Sequence, residues 1–305
     1  MIEVRELTKY YGTTRAVDGL SFRIEPGRVT GFLGPNGAGK STTIRAMIGL
    51  DRPTSGEVLI EGKRYEDLPR PLTTVGALLD ARAVHGGRSV RGHLAGLARS
   101  NRLPLRRVDE VLEMAGLARV ADKRAKGLSL GMAQRLGIAA ALLGDPAALL
   151  LDEPVNGLDP EGVKWIRDLM KRMADEGRAV LVSSHLMSEM ALTAGHLVVI
   201  GRGRLLADTS VEDFIKGNSR SYVLIRTPEP ERLRGLLVTR GIQVDDGPDG
   251  SLEAVGTDPR TVGTLAAENR IAVYEVSPRT ASLEEAFMQF TADAVEYRAE
   301  QGAAR

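Results

Sequence analysis

The feature that most constrains this chain is a glycine-rich run that ends in residues able to hold a phosphate or a metal ion: Gly34-Pro35-Asn36-Gly37-Ala38-Gly39-Lys40-Ser41-Thr42. The run matches the pattern G-x-x-x-x-G-K-[ST] at every fixed position, between a β-prone run at 28–33 and an apolar helical pattern at 41–50. Its three glycines let backbone N–H groups and the helix N-terminus point at a polyphosphate. Lys40 is then placed to reach the β- and γ-phosphates, and the Ser41 hydroxyl to bind Mg²⁺. The run therefore predicts a P-loop that binds a nucleoside triphosphate.

Length and composition set the broad class of the protein. A chain of 305 residues suggests about two domains. Hydrophobic residues make up 43% and charged residues 27%, as in globular proteins, so we expect most of the chain to be ordered. The formal net charge of +1 gives no electrostatic reason to expect a nucleic-acid partner. The absence of Cys excludes disulfides and Cys-ligated zinc and fits a cytosolic protein.

No signal peptide or membrane-spanning segment is predicted. Residues 1–6 are charged where a signal peptide would be apolar. The most apolar stretch, at 138–151, is interrupted by Asp145-Pro146 and cannot span a bilayer. We therefore expect any membrane role to be peripheral, on the cytoplasmic face of the cell membrane.

Two features lie near the P-loop in the first part of the chain. Residues 2–33 are predicted to form three strands, with Tyr11 just before Gly12 in a turn. The Tyr11 ring can stack on a purine or serve as an ordinary turn aromatic. A further apolar strand at 74–79 ends at Asp80.

A helical insert is predicted at 89–127, because the apolar residues there change to helical spacing. The insert is rich in arginines, which can bind an acidic partner or a membrane surface. A solvated face is the simpler explanation, and we favour it. After the insert, Ser129 is a candidate N-cap of a helix that stops before Asp145-Pro146.

Adjacent carboxylates, Asp152 and Glu153, follow a continuous apolar run at 147–151. A run without alternation is typical of a buried parallel strand, and ligands bind at the carboxyl ends of such strands. Beside a P-loop, the first carboxylate would hold the Mg²⁺ shell and the second would polarise an attacking water. An acidic turn is the alternative, and the upstream P-loop argues against it.

The last apolar strand is predicted at 179–185, and it leaves His185 at its carboxyl end. If the strands are parallel, His185 emerges at the same sheet edge as Glu153. His185 is therefore a candidate γ-phosphate contact, although a single histidine is often structural.

With these motifs in order, residues 2–217 resemble the nucleotide-binding subunit of an ATP-binding-cassette (ABC) transporter. The resemblance makes Tyr11 the adenine-stacking aromatic, Glu153 the catalytic base and His185 the switch histidine. It makes 34–42 the Walker A motif, 128–132 the signature, 148–152 Walker B and 156–159, ending in Asp159, the D-loop. ATP and Mg²⁺ are the implied cofactors.

The resemblance also implies a dimer. Two cassettes of this family meet head to tail, and each ATP lies between one P-loop and the signature helix of the opposite subunit. Ser129 and Gly131, at the start of that helix, can hydrogen-bond the γ-phosphate held by the other copy.

A narrower resemblance rests on 130–139 and 282–287, which look like the exporter branch typified by the daunorubicin-resistance ATPase and bacitracin-type transporters. In that branch the membrane channel is a separate polypeptide. The implied partner is therefore an integral-membrane permease subunit.

The chain departs from the family pattern at several positions. Leu130 and Met132 replace the usual Gly and Gln of the signature, and Asn156 replaces the usual Ser of the D-loop. Asp80 stands where the family usually has the Gln that touches Mg²⁺ and senses the membrane partner. Asp80 either joins Asp152 around the metal or caps a turn in solvent.

The pattern restarts after residue 217 as β-α-β-β-α-β, with its last strand at 271–276, which predicts a ferredoxin-like domain at 218–305. A final helix begins with the capping box Ser282 to Glu285 and carries Leu283, Phe287, Phe290 and Tyr297 on one face. It either packs on its own domain or forms a dimer contact, and residues 299–305 are expected to fray. The predicted fold class is thus α/β: a P-loop NTPase cassette at 1–217 with a helical insert, plus a small α+β domain.

The leading hypothesis is a Mg-ATPase that drives an exporter. A soluble cassette in DNA repair or translation is an alternative, but the chain lacks the long inserted coiled coil of the first and the second cassette of the other. An importer subunit also stays possible. The intact Glu153 argues against a module without turnover, and a small GTPase is excluded because no Asn-Lys-x-Asp motif is present.

Overall fold

The computed structural model describes residues 1–290, and the predictions for Tyr297 and for 299–305 lie outside them. The chain forms two compact units, Met1–Val211 and a second that begins at Glu212. The strands of the first unit are β1 (Ile2–Tyr11), β2 (Thr14–Ile24), β3 (Arg28–Leu33), β4 (Ser55–Ile60), β5 (Val75–Leu78), β6 (Ala148–Asp152), β7 (Ala179–Ser183), β8 (His196–Gly201) and β9 (Arg204–Ser210). Its helices are α1 (Lys40–Met47), α2 (Pro71–Thr74), α3 (Val90–Ser100), α4 (Arg106–Met114), α5 (Leu130–Leu142), α6 (Pro160–Asp175) and α7 (Met187–Thr193).

Two sheets form the core of the first unit. The larger has six strands in the order β5-β6-β7-β3-β8-β9, and the smaller is an antiparallel sheet in the order β2-β1-β4. One hydrophobic cluster draws residues from both, and the rings of Phe22 and Phe32 lie 5.4 Å apart within it. The two sheets are thus held together by a shared apolar interior.

The carboxyl ends of the central strands lie in register at one edge of the larger sheet. Strands β5, β6, β7, β3 and β8 run parallel to one another. Ser183 of β7 pairs with Asp152 of β6 on one side and Phe32 of β3 on the other. All five residues of β7 are buried, as expected for a parallel strand covered on both faces. The P-loop, Asp80, Glu153 and His185 therefore follow strands that end at the same edge.

Strand β8 corrects one prediction, because 179–185 is not the last apolar strand. The run from His196 to Gly201 pairs in parallel with β3, and β9 then pairs antiparallel with β8 as an edge strand. Leu197, Val198, Val199 and Ile200 are fully buried. The apolar run of β8 is only six residues long and comes soon after the seven-residue helix α7. Such a short apolar run is consistent with either a strand or the end of a helix, so its pattern alone does not identify the strand.

The region predicted to be a helical insert contains helices α3 and α4, and reciprocal arginine contacts join α4 to α5, the helix that follows it. Arg107 of α4 donates from Nη2 to the Leu142 carbonyl at the end of α5, at 3.0 Å. Arg135 of α5 donates from Nη1 to the carbonyl of Ala115, just after α4, at 3.2 Å, and its guanidinium lies 4.7 Å from the centre of the Trp165 ring. Cations at carbonyl-rich helix ends are favourable, so these contacts align α4 with α5.

The second unit contains the predicted β-α-β-β-α-β order. Its elements are α8 (Val211–Asn218), β10 (Tyr222–Arg226), α9 (Pro230–Thr239), β11 (Gln243–Asp246), β12 (Leu252–Val255), α10 (Pro259–Glu268) and β13 (Glu275–Arg279). The strands pair antiparallel in the order β11-β12-β10-β13 over a separate hydrophobic core. This connectivity is that of a split β-α-β unit.

The last strand of this sheet is shifted from its predicted place at 271–276. Ile271 is only 5% exposed, and its N–H donates to the Ala266 carbonyl of α10 at 2.9 Å, so it packs into the core just after that helix. The strand itself runs over Glu275–Arg279 and includes Pro278, which is tolerated because β13 is an edge strand.

The final helix begins as its capping box predicts. Residues 283–290 are helical, and the Glu285 N–H donates to Ser282 Oγ at 3.2 Å. Leu283 is buried, and the Phe290 ring packs edge-on against Phe214 of the same unit, with ring centres 5.2 Å apart. In its described part the helix therefore packs on its own unit.

Candidate active site

The P-loop is fixed by close backbone packing on its neighbours. A side-chain carbon on Gly34 would lie 2.4 Å from the Ile200 carbonyl oxygen, and one on Gly39 would lie 2.6 Å from that of Ala16. Gly39 also has a φ of +104°, which a residue with a side chain rarely adopts. Helix α1 begins immediately after Gly39 without a side-chain cap, so its first N–H groups are available to an anion.

Lys40 is buried beside this loop, with 8% of its surface exposed. Its Nζ donates to the Gly34 carbonyl at 2.6 Å and to the Pro35 carbonyl at 3.3 Å. Burial lowers the pKa of the Lys40 ammonium from its ordinary value, while the charges of Glu153 and Asp152 oppose that shift. Two backbone carbonyls thus hold the Lys40 ammonium inside the loop, where it senses the charges of both carboxylates. Asn36, Gly37 and Ser41 are exposed at the loop surface, whereas Ala38 is buried and Thr42 half-buried.

Tyr11 lies at the end of β1, and the residue is 46% exposed. Its hydroxyl donates to Asp51 Oδ2 at 2.5 Å, and Arg45 Nε donates to the same oxygen at 2.7 Å. The hydrogen bond to Asp51, followed by burial, raises the pKa of the Tyr11 phenol. The Lys9 ammonium lies 5.0 Å from the ring centre. Asp51 therefore holds an exposed aromatic ring in a defined place, as stacking on a base requires.

Ser183 links the two carboxylate residues at the end of β6. Its hydroxyl donates to Asp152 Oδ1 at 2.6 Å and accepts the Glu153 N–H at 2.9 Å. Ser183 is fully buried, so these bonds are shielded from water. Sequence reasoning placed Ser183 in the strand without a role. The available signal was a serine at the carboxyl end of an otherwise apolar strand.

The Glu153 carboxylate faces His185. Glu153 Oε2 lies 2.7 Å from His185 Nδ1, and the two side chains are 23% and 55% exposed. The structure therefore confirms that His185 emerges at the same sheet edge as Glu153. A carboxylate that orients an imidazole, with both groups open to solvent, can move a proton to or from a bound water.

A second residue that the sequence did not single out is Gln134 of α5. Its Nε2 donates to the Pro154 carbonyl at 2.9 Å and to the Glu153 carbonyl at 3.3 Å. Gln134 is 6% exposed. A buried amide in a largely apolar helix was the only local sign of this role, since its partners are about 20 residues away in sequence.

Ser129, Gly131 and Asp159 form a separate group around the start of α5. Ser129 Oγ accepts the Met132 N–H at 3.2 Å, which confirms the predicted N-cap, and Asp159 Oδ1 accepts the Gly162 N–H at 2.8 Å as the cap of α6. A side-chain carbon on Gly131 would lie 2.8 Å from the Gly157 carbonyl oxygen, so the two turns pack closely. Within residues 1–290, none of the three makes a hydrogen bond to the loop at 34–42.

Asp80 lines the same depression as Asp152 and Glu153. Its Oδ1 accepts the Arg82 N–H at 2.8 Å, which forms a turn within its own loop. The described residues hold no group of three or more His, Cys, Asp or Glu side chains spaced to bind a metal ion. In the same part of the chain, no helix is long and apolar enough to cross a membrane.

Comparison with known proteins gives two family matches. The model described as "ABC transporter" matches residues 17–156, and a domain of unknown function (DUF8746) matches residues 221–284. Among curated proteins, the chain is 35% identical to the uncharacterized ABC transporter ATP-binding protein YhcH of Bacillus subtilis (strain 168), over 97% of each chain. It is 34% identical to the bacitracin transport ATP-binding protein BcrA of Bacillus licheniformis, over 95% of this chain and 96% of that one.

A solved structure supports the same likeness. It is a dimeric ATP-binding cassette in a post-hydrolysis state, bound to ADP and Pi. The match has a TM-score of 0.63 and 25% identity, and it covers 69% of this chain and 98% of the other. The fold is thus shared with this structure over 69% of the chain, and the sequence likeness to the two curated relatives extends over 95% or more of it.

Proposed function

Because this chain belongs to the ABC transporter family as an ATP-binding subunit with ATPase activity, we propose that it powers export through a separate permease subunit in the membrane. The observation that carries this proposal is the meeting of the P-loop, Asp152, Glu153 and His185 at one sheet edge. Similarity to a bacitracin transport protein along 95% of the chain supports an export role. The proposed cargo class is a drug, an antibiotic or a lipid-like molecule, and the cytoplasmic face of the membrane is the proposed location.

In the proposed ATP site, the P-loop residues 34–42 surround the phosphates with backbone N–H groups from the first turn of α1. Lys40 turns its ammonium from the loop carbonyls to the β- and γ-phosphates. The exposed Tyr11 ring stacks on the adenine, in the position that Asp51 sets.

The oxygen donors here suit Mg²⁺, which commonly binds one or two carboxylates together with substrate phosphates. Ser41 offers an exposed hydroxyl in the first turn of α1, and Asp152 offers a carboxylate whose Oδ1 is oriented by Ser183. These two residues would hold the ion, with Asp80 as a further proposed ligand in the same depression as Asp152. When bound, Mg²⁺ neutralises negative charge on the transferring phosphoryl group.

For hydrolysis, we assign Glu153 as the general base. Its carboxylate accepts a proton from the attacking water, and His185 orients that carboxylate and contacts the γ-phosphate. Two copies meet head to tail in the proposed dimer, so the Ser129 and Gly131 end of α5 completes the site of the other copy.

Affinity purification of the full chain from gently solubilised membranes of its native host tests the export proposal. We expect one integral-membrane protein to co-purify in a fixed ratio and to raise the ATPase activity of the chain. Recovery of the chain without any integral-membrane partner, after crosslinking as well as without it, would contradict the proposal.

Asp80 is a proposed member of the Mg²⁺ shell, and its charge can be tested separately from its turn. Asp80→Asn keeps an oxygen for the Arg82 N–H and removes the charge, whereas Asp80→Ala removes both. We expect Asp80→Asn to leave ATP binding largely intact and to raise the Mg²⁺ concentration for half-maximal ATPase activity, because one negative charge near the ion is lost. Superimposable Mg²⁺ titrations of wild type and Asp80→Asn would assign Asp80 to the turn alone.

A further inference from the structure

The backbone of Glu153 adopts a conformation that glutamate rarely takes. Its φ is +50°, in the left-handed region, immediately after the extended residues of β6. Residues persist in this region when the surrounding structure over-determines them. At Glu153 this conformation turns the chain sharply at the residue that the proposed function assigns as the base.

Side chains from two other elements hold this turn on both sides. Ser183 of β7 accepts the Glu153 N–H, and Gln134 of α5 donates its amide to the Glu153 and Pro154 carbonyls. Both side chains are buried, so water does not compete for these bonds. The Ser183 hydroxyl also binds Asp152, whereas both hydrogen bonds of the Gln134 amide go to the turn itself.

From this geometry we infer that Gln134 is a positioning residue for hydrolysis. This inference rests on the proposed role of Glu153 as the base. Gln134 fixes the peptides that follow Glu153 in the left-handed turn, and the turn aims the carboxylate at His185 and the water site. Gln134 itself touches no reacting atom.

The test replaces Gln134 by Met, which has similar length and good helix propensity but no N–H donor. We expect Gln134→Met to lower kcat by about ten- to a hundredfold, because small displacements of a catalytic group have effects of this size. The Kd for ATP, measured by calorimetry without turnover, is expected to stay within about twofold, because the Gln134 amide bonds to the Glu153 and Pro154 carbonyls and not to the phosphate-binding loop.

A double-mutant cycle with Glu153→Gln separates positioning from a general structural role. If Gln134 acts through the Glu153 carboxylate, Gln134→Met changes the residual turnover of Glu153→Gln by less than about twofold. An equal fold loss in both backgrounds, or a loss of ATP affinity that matches the loss of kcat, would overturn the inference.

A second variant covers the case in which Gln134→Met does not fold. Gln134→Leu removes the donor with a neutral side chain of good helix propensity, and retained ATP binding shows that it is folded. The two possible failures are distinguishable. Near-normal turnover of Glu153→Gln contradicts the proposed function. If Glu153→Gln loses turnover while both Gln134 variants keep normal turnover, only the inference about Gln134 is contradicted.

Discussion

Glu153→Gln is expected to lower ATP turnover by about 10²- to 10⁴-fold while ATP binding is kept, because an amide of the same shape cannot accept a proton from water. The amide still fits beside His185 Nδ1, which lies 2.7 Å from Glu153 Oε2. Turnover is measured by phosphate release and affinity by calorimetry. With ATP bound but not hydrolysed, the variant should also elute as a dimer in gel filtration.

A matched control for this variant is Glu61→Gln. Glu61 is exposed after β4 and has a φ of +51°, so it shares the residue type and the positive φ of Glu153 without its surroundings. We expect Glu61→Gln to turn over ATP like wild type. Near-normal turnover of Glu153→Gln would show that another group is the base.

Lys40→Ala is expected to weaken ATP binding by about a hundredfold or more, because two charge-assisted hydrogen bonds to the phosphates are lost. Among the P-loop residues 34–42, Lys40 is the only cationic side chain, so none of its neighbours in the loop can replace it. Calorimetric titration with ATP in the presence of Mg²⁺ measures the effect.

The control for Lys40→Ala is Lys63→Ala, which removes an exposed lysine from the β4 turn of the same unit. That variant should bind ATP with wild-type affinity. Unchanged affinity in Lys40→Ala would instead place the phosphates outside the predicted loop. A thermal unfolding curve of each variant excludes loss of fold as the cause.

The local sequence was sufficient to predict those site residues that lie at strand ends or within a motif of fixed spacing. The continuous apolar run of β6 indicated a buried parallel strand, and a parallel β7 would place Glu153 and His185 at one edge, as the structure shows. The cap at Ser129 is equally local, because its partner lies three residues away. These predictions needed no knowledge of distant contacts.

The features that sequence reasoning missed depend on contacts between distant residues. Gln134 binds carbonyls about 20 residues away, and Ser183 binds residues about 30 away. Strand β8 was missed because its short apolar run is defined as a strand only by pairing with β3. Likewise, the residues around Ile271 have the pattern of a strand, but in the structure Ile271 bonds to the last turn of α10 and packs in the core.

The contacts around Trp165 have a mechanical consequence. The Trp165 indole N–H donates to the Met114 carbonyl at 2.9 Å, while Arg135 binds the next carbonyl, of Ala115, and stacks on the same ring. The end of α4 is thus tied to α5 and to α6, whose first turn Asp159 caps. A displacement of α4 is therefore expected to move α5 and α6 together. Because α5 begins after Ser129 and α6 after Asp159, we expect the turns at these two caps to move together as well.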